Sequence, residues 1–164
     1  MNKRGLVSQL ESKIRSIACV AERAAAAAAE VAREGATPHE KREDSRVALE
    51  YGGLARGQGR RFERAKAELA VLETFRPTAL PVGGRVAVGA LVEIEDDENG
   101  EGRTLFLAPV GAGVELTTPE GDGFLSVVTP ASPIGRAILG RRRGDVIEIT
   151  VDGDTRYWKL TWVE

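Results

Sequence analysis

The stretch Glu34-Gly-Ala-Thr-Pro-His-Glu40 decides the fold, because apolar repeats of similar length run into it and out of it. Gly35 can adopt the left-handed conformation that ends a helix. Thr37 can cap a second helix, with Pro38 at its first position and Glu40 three residues after the cap, which is the pattern of a capping box. The sequence therefore predicts two helices that run in opposite directions and are joined by a tight turn.

Composition narrows the class of protein. The chain has 164 residues with 23 basic and 25 acidic side chains, so its net charge of −2 gives no global attraction to nucleic acid or membranes. One Cys and one His exclude a disulfide framework and a zinc cluster. No apolar run reaches transmembrane length, and the first residues lack the apolar core of a signal peptide. We expect a soluble, cytoplasmic protein with no membrane association and no cofactor of its own.

The first helix carries a heptad pattern. Apolar residues recur at alternating steps of four and three: Leu10, Ile14, Ile17, Ala21, Ala24, Ala28 and Val31. The large residues come first and the alanines later, so the two helices should approach most closely near the turn.

The second helix repeats the pattern in the reverse direction. Its seam consists of Ala48, Tyr51, Ala55, Gln58, Phe62, Ala65, Leu69 and Leu72. A turn centred on Ala36 places Ala24 opposite Ala48 and Leu10 opposite Phe62. This register favours an intramolecular hairpin, and hence a monomer, although an arm that only packs or dimerises remains an alternative. Glycines at 52, 53, 57 and 59 weaken the helix and either permit close packing or allow a bend.

The second half of the chain has the composition of a sheet. Arg76-Pro77 ends the second helix, which gives a hairpin over 1–76, a linker over 77–84 and a sheet domain over 85–164. The expected strands are Val86–Ile94, Arg103–Val110, Phe124–Val128, Val146–Val151 and Thr155–Val163, in an antiparallel sheet. Acidic residues at 93 and 95–98 mark a solvated hairpin end more readily than a cation site. The fold class is α+β.

A short helix interrupts the strands. Ser132 can cap it, Pro133 begins it and Gly140 ends it, with a Gly144-Asp145 turn leading into the next strand. Ile134, Ala137 and Ile138 give the helix an apolar face. Trp158 and Trp162 are four residues apart on a strand, so we expect both on one face, in the core.

The motif Ser132-Pro-Ile-Gly-Arg-Ala-Ile-Leu-Gly140, followed by Gly-Asp and an alternating strand, resembles the C-terminal signature of the bacterial Gre transcript-cleavage factors. That family also has an N-terminal coiled-coil hairpin, so the resemblance covers nearly the whole chain. It implies an FKBP-like C-terminal domain that docks on RNA polymerase, and a hairpin that enters the secondary channel. In active members, carboxylates at the tip help to hold Mg²⁺ in the polymerase active site, and the polymerase then cuts backtracked RNA.

The tip departs from the family pattern Gly-Asp-Leu-x-Glu-Asn-Ala-Glu-Tyr. Aligning the final Glu-Tyr on Glu50-Tyr51 places the family's Asp on Asp44 and its catalytic Glu on Val47, which cannot bind metal. Aligning on the turn instead brings His39 near the Glu. The resemblance makes Asp44, Glu43 and Glu40 the candidate catalytic carboxylates, with no metal site on this chain alone.

The resemblance implies a regulator of polymerase that is not itself an enzyme, and the departure of the tip from the family pattern favours weak or absent cleavage stimulation. The alternatives are a Gre factor with full cleavage stimulation, an FKBP-like prolyl isomerase, and a coiled-coil interaction module. The candidate polymerase-binding residues are Ser132, Pro133, Ile134, Arg136, Gly140 and Arg141. The basic stretch of Arg60, Arg61 and Arg64 is a candidate nucleic-acid contact, for example with nascent RNA, or a solvated helix face.

Overall fold

The computed structural model describes residues 2–34, 43–81, 83–118, 121, 123–151 and 153–164. Two long helices, α1 (Lys3–Glu34) and α2 (Glu43–Thr74), come first, and strands with one short helix follow. The chain divides into two compact units. One combines Met1–Glu11 with Val71–Glu164, and the other is Ser12–Ala70.

In the Ser12–Ala70 unit, each helix buries one stripe. Ile14, Ala21 and Ala28 are almost completely buried on α1, as the heptad pattern predicts. Ala18 is buried more deeply than Ile17, and Val31 is exposed. The expected seam was wrong at Val31 because a straight helix has 3.6 residues per turn and drifts by about 20° per heptad relative to a 3.5-residue repeat.

The apolar stripe of α2 is less deeply buried than that of α1. Ala65 is buried, whereas Ala48, Ala55, Gln58 and Phe62 are half-buried. Tyr51, which the sequence placed on the seam, is 39% exposed. The start of α1 and the end of α2 both belong to the sheet-containing unit, so the two helices run in opposite directions, as predicted. The turn itself and its predicted capping box at residues 37–40 lie outside the described residues.

The glycines of α2 are not places of close approach. A β-carbon built on Gly53, Gly57 or Gly59 would meet nothing within 4 Å, and one on Gly52 would meet only the guanidinium of Arg56, at 3.6 Å. Close helix packing therefore does not require any of these glycines.

The sheet has six strands: β1 (Leu91–Asp96), β2 (Gly102–Leu107), β3 (Glu115–Thr117), β4 (Phe124–Val128), β5 (Val146–Val151) and β6 (Asp154–Val163). Their spatial order is β3-β4-β2-β1-β6-β5. The short helix α3 (Pro133–Ile138) lies between β4 and β5 in sequence. The α+β class and the single short helix of the sheet domain are thus confirmed.

Three details of the sheet differ from the expectation. The sheet is mixed, because β2 and β4 pair in parallel, with Phe106 beside Val127. The expected strand over 86–94 begins only at Leu91, because a turn with Gly89 at φ 98° precedes it. Three-residue β3 was not predicted, since Leu116 is its only fully buried side chain and gives no alternation to detect.

One sheet face carries the main core. Its buried members are Val86, Ala90, Val92, Ile94, Leu105, Leu107, Val128, Ile138, Ile147, Ile149, Trp158 and Leu160, and Ile134 and Ala137 of α3 pack against them. The apolar face predicted for α3 is therefore confirmed.

The start of α1 and the end of α2 contribute to the core of the unit that contains the sheet. Leu6, Leu10 and Leu72 are fully buried. The amide of Gln9 donates to the carbonyl of Thr117, and its side-chain oxygen accepts from the Thr117 N–H. The first turns of α1 therefore belong to the structural core of the sheet unit.

The two tryptophans do not share a face. Ile94 pairs with Leu160 but the preceding Glu93 pairs with Trp162, so β6 contains one extra residue at this point. Such a bulge reverses the alternation of side chains beyond it. Trp158 is 4% exposed and belongs to the core, whereas Trp162 lies beside the exposed Glu93. The expectation of a common face was wrong because it assumed an uninterrupted strand.

Candidate functional site

The candidate site is built around α3. Ser132 is its N-cap, with extended backbone angles, and the Ser132 hydroxyl accepts from the Gly135 N–H at 3.1 Å. The same hydroxyl donates to the Thr129 carbonyl at 2.8 Å. Pro133 follows at the first helical position, where no N–H is needed. Ser132 therefore fixes the start of α3 against the end of β4.

Gly135 makes this junction possible. A β-carbon at this position would lie 1.9 Å from the Thr129 carbonyl oxygen and 2.7 Å from its carbonyl carbon. Because both obstacles are backbone atoms, no side-chain rotation could relieve the clash. The glycine in the Ser-Pro-Ile-Gly motif thus has a steric role: it lets α3 pass directly over the end of β4.

Gly140 ends the helix and ties it to the segment before β1. It has φ 77°, in the left-handed region that suits glycine, and its N–H donates to the Val86 carbonyl. The Val86 N–H donates to the Arg141 carbonyl at 2.8 Å. The guanidinium of Arg85 donates to the Gly140 carbonyl at 2.9 Å. Both ends of α3 are therefore held by hydrogen bonds outside the helix.

The six predicted contact residues have different positions. Pro133, Arg136 and Arg141 are exposed and accessible to a partner. Ser132 and Gly140 act as caps and are half-buried, so they shape the surface. Ile134 packs against the core. Pro133, Arg136 and Arg141 are therefore the members whose exposed side chains could contact a partner directly.

Two exposed residues at the end of α3 and beside it, Leu139 and Arg85, were not predicted from the sequence. Leu139 is 43% exposed although it belongs to the motif, because it is the helix's C-cap residue and leaves the apolar face. Arg85 lies 55 residues from the carbonyl that it contacts, so no local pattern could connect them. We call the exposed set of Arg85, Pro133, Arg136, Leu139 and Arg141–Arg143 the α3 surface.

The α3 surface is strongly basic. Its five arginines form no ion pair with any acid among the described residues. Asp145 is the neighbouring acid, and its carboxylate accepts the backbone N–H of Arg142 at 2.9 Å. On a chain with a net charge of −2, this is a local excess of positive charge that favours an acidic partner.

The basic stretch of α2 is also accessible. Arg60, Arg61 and Arg64 are all exposed, and Arg60 and Arg64 lie four residues apart on one helix face. Lys66 differs from them, because it pairs with Glu63 at 3.4 Å and its ammonium lies 5.2 Å from the Phe62 ring centre. The role of the three arginines in binding nucleic acid stays a prediction.

The predicted catalytic carboxylates lie at the start of α2 and before it. Glu40 lies outside the described residues, and Glu43 and Asp44 begin α2 without a described side chain. Val47, the residue aligned with the family's catalytic Glu, is exposed. The catalytic assignment therefore stays a prediction.

The acidic end of the β1–β2 hairpin has a structural role. Asp96 is 2% exposed, accepts the Glu98 N–H at 2.9 Å and lies 3.7 Å from the Arg156 guanidinium. Across the part of the chain that the structure describes, no group of three metal-ligating side chains is placed to hold an ion. The antiparallel pairing of β1 with β2 confirms that residues 93 and 95–98 belong to a hairpin end, but Asp96 is buried there and was wrongly expected to be solvated.

Lys3, at the start of α1, is the one buried cation among the residues that the structure describes. It is 7% exposed, and its ammonium donates to the Thr78 carbonyl at 3.4 Å. Burial lowers the pKa of Lys3 from its ordinary value of 10.5, and the charge of Glu164 opposes that shift. The amine thus links α1 to the segment after α2 at some cost in desolvation.

Comparison with known proteins identifies the relatives of this chain. Residues 81–164 match the family described as "Transcription elongation factor, GreA/GreB, C-term". The transcription elongation factor GreA of Methylococcus capsulatus is 35% identical over 117 residues, covering 71% of this chain and 67% of the relative. GreA of Polaromonas naphthalenivorans is 28% identical, with coverage of 71% and 67%.

Solved structures of Gre-type factors are also similar to this chain, at lower sequence identity. The Thermus thermophilus GreA factor homolog Gfh1 is 21% identical, with 94% of each chain covered and a TM-score of 0.40. GreA/GreB from Nitrosomonas europaea is 24% identical, covering 62% of this chain and 78% of the other, with a TM-score of 0.38. Family membership rests on the family model and the sequence relatives.

These sequence relatives define a class, the transcription elongation factors. The chain belongs to the GreA/GreB family within that class, and the predicted resemblance is confirmed. It is accordingly an accessory factor of transcription and not an enzyme in its own right. No helix in the described part of the chain is long and apolar enough to cross a membrane.

Proposed function

We propose that this protein docks on bacterial RNA polymerase through the α3 surface and places its hairpin in the polymerase secondary channel. Family membership supports the partner. The observation that carries the docking site is the α3 surface itself, where five arginines without an acid partner among the described residues flank the exposed Pro133 and Leu139. Apolar contacts of this kind within a charged rim are typical of protein interfaces.

The proposed effect is regulation with weak or absent stimulation of RNA cleavage. Mg²⁺ in the polymerase active site would need hard oxygen ligands from the tip. An exposed Val47 at the position aligned with the catalytic Glu offers none. Asp44, Glu43 and Glu40 remain as the acids that would carry any residual stimulation. The Mg²⁺ would belong to the polymerase, and this chain would need no cofactor of its own.

Three finer points accompany this proposal. The buried stripes of α1 and α2 support action as a monomer, because both are buried within a single chain. Membership of a transcription factor family supports a cytoplasmic location. The exposed Arg60, Arg61 and Arg64 would then be free to contact nascent RNA or the channel wall. Sedimentation of the purified protein tests the monomeric state, and ultraviolet crosslinking to RNA in an elongation complex tests the RNA contact.

The docking experiment compares polymerase binding by full-length variants. The full chain is needed because Leu6, Leu10 and Leu72 complete the core of the sheet unit. Charge reversal at Arg136 and Arg141 together should weaken binding to immobilised core polymerase by at least about tenfold, since rim charges contribute through complementarity. Charge reversal at the exposed Lys159 of β6, which lies outside both the hairpin and the α3 surface, is the control. Equal binding by the double variant and the control would reject the α3 surface as the docking site.

A further inference from the structure

A cavity of about 650 Å³ opens on the α3-covered face of the sheet, apart from the exposed side of α3. Its inner wall is apolar and consists of Ile94, Ile149, Trp158 and the inner side of Ile134. The first three are at most 6% exposed as residues, so the wall belongs to the rigid core. The volume falls within the range of about 300–1,000 Å³ that is usual for small-molecule sites.

Two arginines stand at the mouth of this cavity. The guanidinium of Arg103 lies over the Trp158 ring, 5.1 Å from its centre. The guanidinium of Arg156 lies 3.7 Å from the carboxylate of the buried Asp96 and 3.9 Å from the carboxylate of Asp154. Both arginine side chains remain 49% exposed.

Both guanidiniums keep their hydrogen-bond donors available. Arg103 lies 3.7 Å from a Glu101 oxygen, and all three ion-pair distances exceed hydrogen-bonding range. Among the described residues, the acid oxygens paired with these two guanidiniums lie 3.7–3.9 Å away, and neither guanidinium donates a hydrogen bond. The acids therefore position the two arginines and leave their planar forks open to a carboxylate or phosphate.

We propose that this cavity binds a small organic anion with a flat apolar body. The body would enter between Trp158 and the isoleucines, where a planar ring finds an aromatic partner. The carboxylate or phosphate would stay at the mouth, within reach of Arg103 and Arg156. This combination of an apolar wall and a few oriented polar groups is what small-molecule recognition requires.

The proposal is independent of polymerase docking. The cavity lies on the inner side of α3 and uses Ile134, whereas the α3 surface uses the outward residues Pro133, Arg136 and Leu139. Loss of polymerase binding in the docking variants would leave the cavity and its two arginines unchanged.

The test uses indoleacetate and its neutral analogue indoleacetamide as probes. Each is titrated into isotope-labelled full-length protein, and binding is followed through the amide signals and the indole N–H of Trp158. We expect indoleacetate to shift Trp158 and its neighbours and to bind at least about tenfold more tightly than the amide, since charged hydrogen bonds are the stronger ones.

Variants assign the effect to the mouth of the cavity. Arg103→Gln should reduce indoleacetate binding to the level of the amide. Arg156→Lys, which keeps a positive charge beside Asp96, should weaken it several-fold. Lys159→Gln is the control, because Lys159 is exposed and adjoins Trp158 on the other sheet face. Equal affinity for acid and amide, shifts away from Trp158, or an equal loss in Lys159→Gln would each overturn the proposal.

Discussion

The glycines of α2 allow a quantitative test of how the hairpin is stabilised. Gly53, Gly57 and Gly59 have open space around a built β-carbon, and all lie inside a continuous helix. Replacing Gly by Ala in a helix interior gains about 1 kcal/mol of helix propensity where nothing clashes. The triple alanine variant should therefore be more stable by about 2–3 kcal/mol.

Circular dichroism at the helical minimum during thermal unfolding measures this effect. A gain of this size corresponds to roughly 5–10 °C in Tm for a chain of this length, at about 2–4 °C per kcal/mol. Ala67→Gly, at an exposed position on the same helix, is the reverse control and should lower Tm by a few degrees. An unchanged or lower Tm in the triple variant, with the control behaving as expected, would show that the glycines serve helix packing or a bend after all.

Three further predictions concern the sheet unit. Ser132→Ala should lower the free energy of unfolding in urea by about 1 kcal/mol, because it removes the cap of α3. Gly135→Ala should lower it further, because its β-carbon would meet the backbone of Thr129. A smaller loss for Gly135→Ala than for Ser132→Ala would contradict the steric argument. Gly111→Ala should destabilise the fold measurably, since Gly111 has φ 85° and a β-carbon there would lie 2.7 Å from a Leu10 methyl group. Burial lowers the pKa of Lys3 in the folded chain, so the unfolded chain keeps the Lys3 proton up to a higher pH. The stability of wild type relative to Lys3→Met, measured in denaturant titrations, should therefore rise as the pH approaches 10.5. A difference that does not change with pH would contradict burial as the cause.

The hairpin was largely predictable because its determinants are periodic. Apolar steps of three and four residues identified both helices and most of the buried stripe. The misplacement of Val31 came from extending a heptad along a straight helix. Tyr51 has the spacing of the seam, but its side chain is 39% exposed, so spacing alone did not identify the buried positions of α2.

Most strands of the sheet were predictable, but β3 and the pairing of the strands were not. Strands over 124–128 and 146–151 have the expected bounds, since turn residues flank them on both sides. The parallel pairing of β2 with β4 depends on contacts between segments that are distant in sequence. The bulge near Leu160 is equally non-local, because it appears only when β6 is registered against β1.

The candidate surface was identified through its motif, and the structure explains the motif's residues. The cap at Ser132 is a local effect that the sequence predicted. The need for glycine at position 135 appears only in the structure, where α3 passes close to the backbone of Thr129. The contribution of Arg85 and the cavity beneath α3 arise from tertiary packing. No spacing rule connects Arg103 with Trp158, so the cavity could not have been predicted.

The rate of RNA cleavage in stalled elongation complexes tests the central proposal most directly. The protein is added at a concentration that saturates polymerase binding, and the Glu40→Ala, Glu43→Ala and Asp44→Ala variants are measured in parallel. The account predicts binding to the polymerase with cleavage close to the intrinsic rate, and little change among the variants. Strong acceleration by the wild type, lost in Asp44→Ala while binding persists, would contradict it and establish full cleavage stimulation.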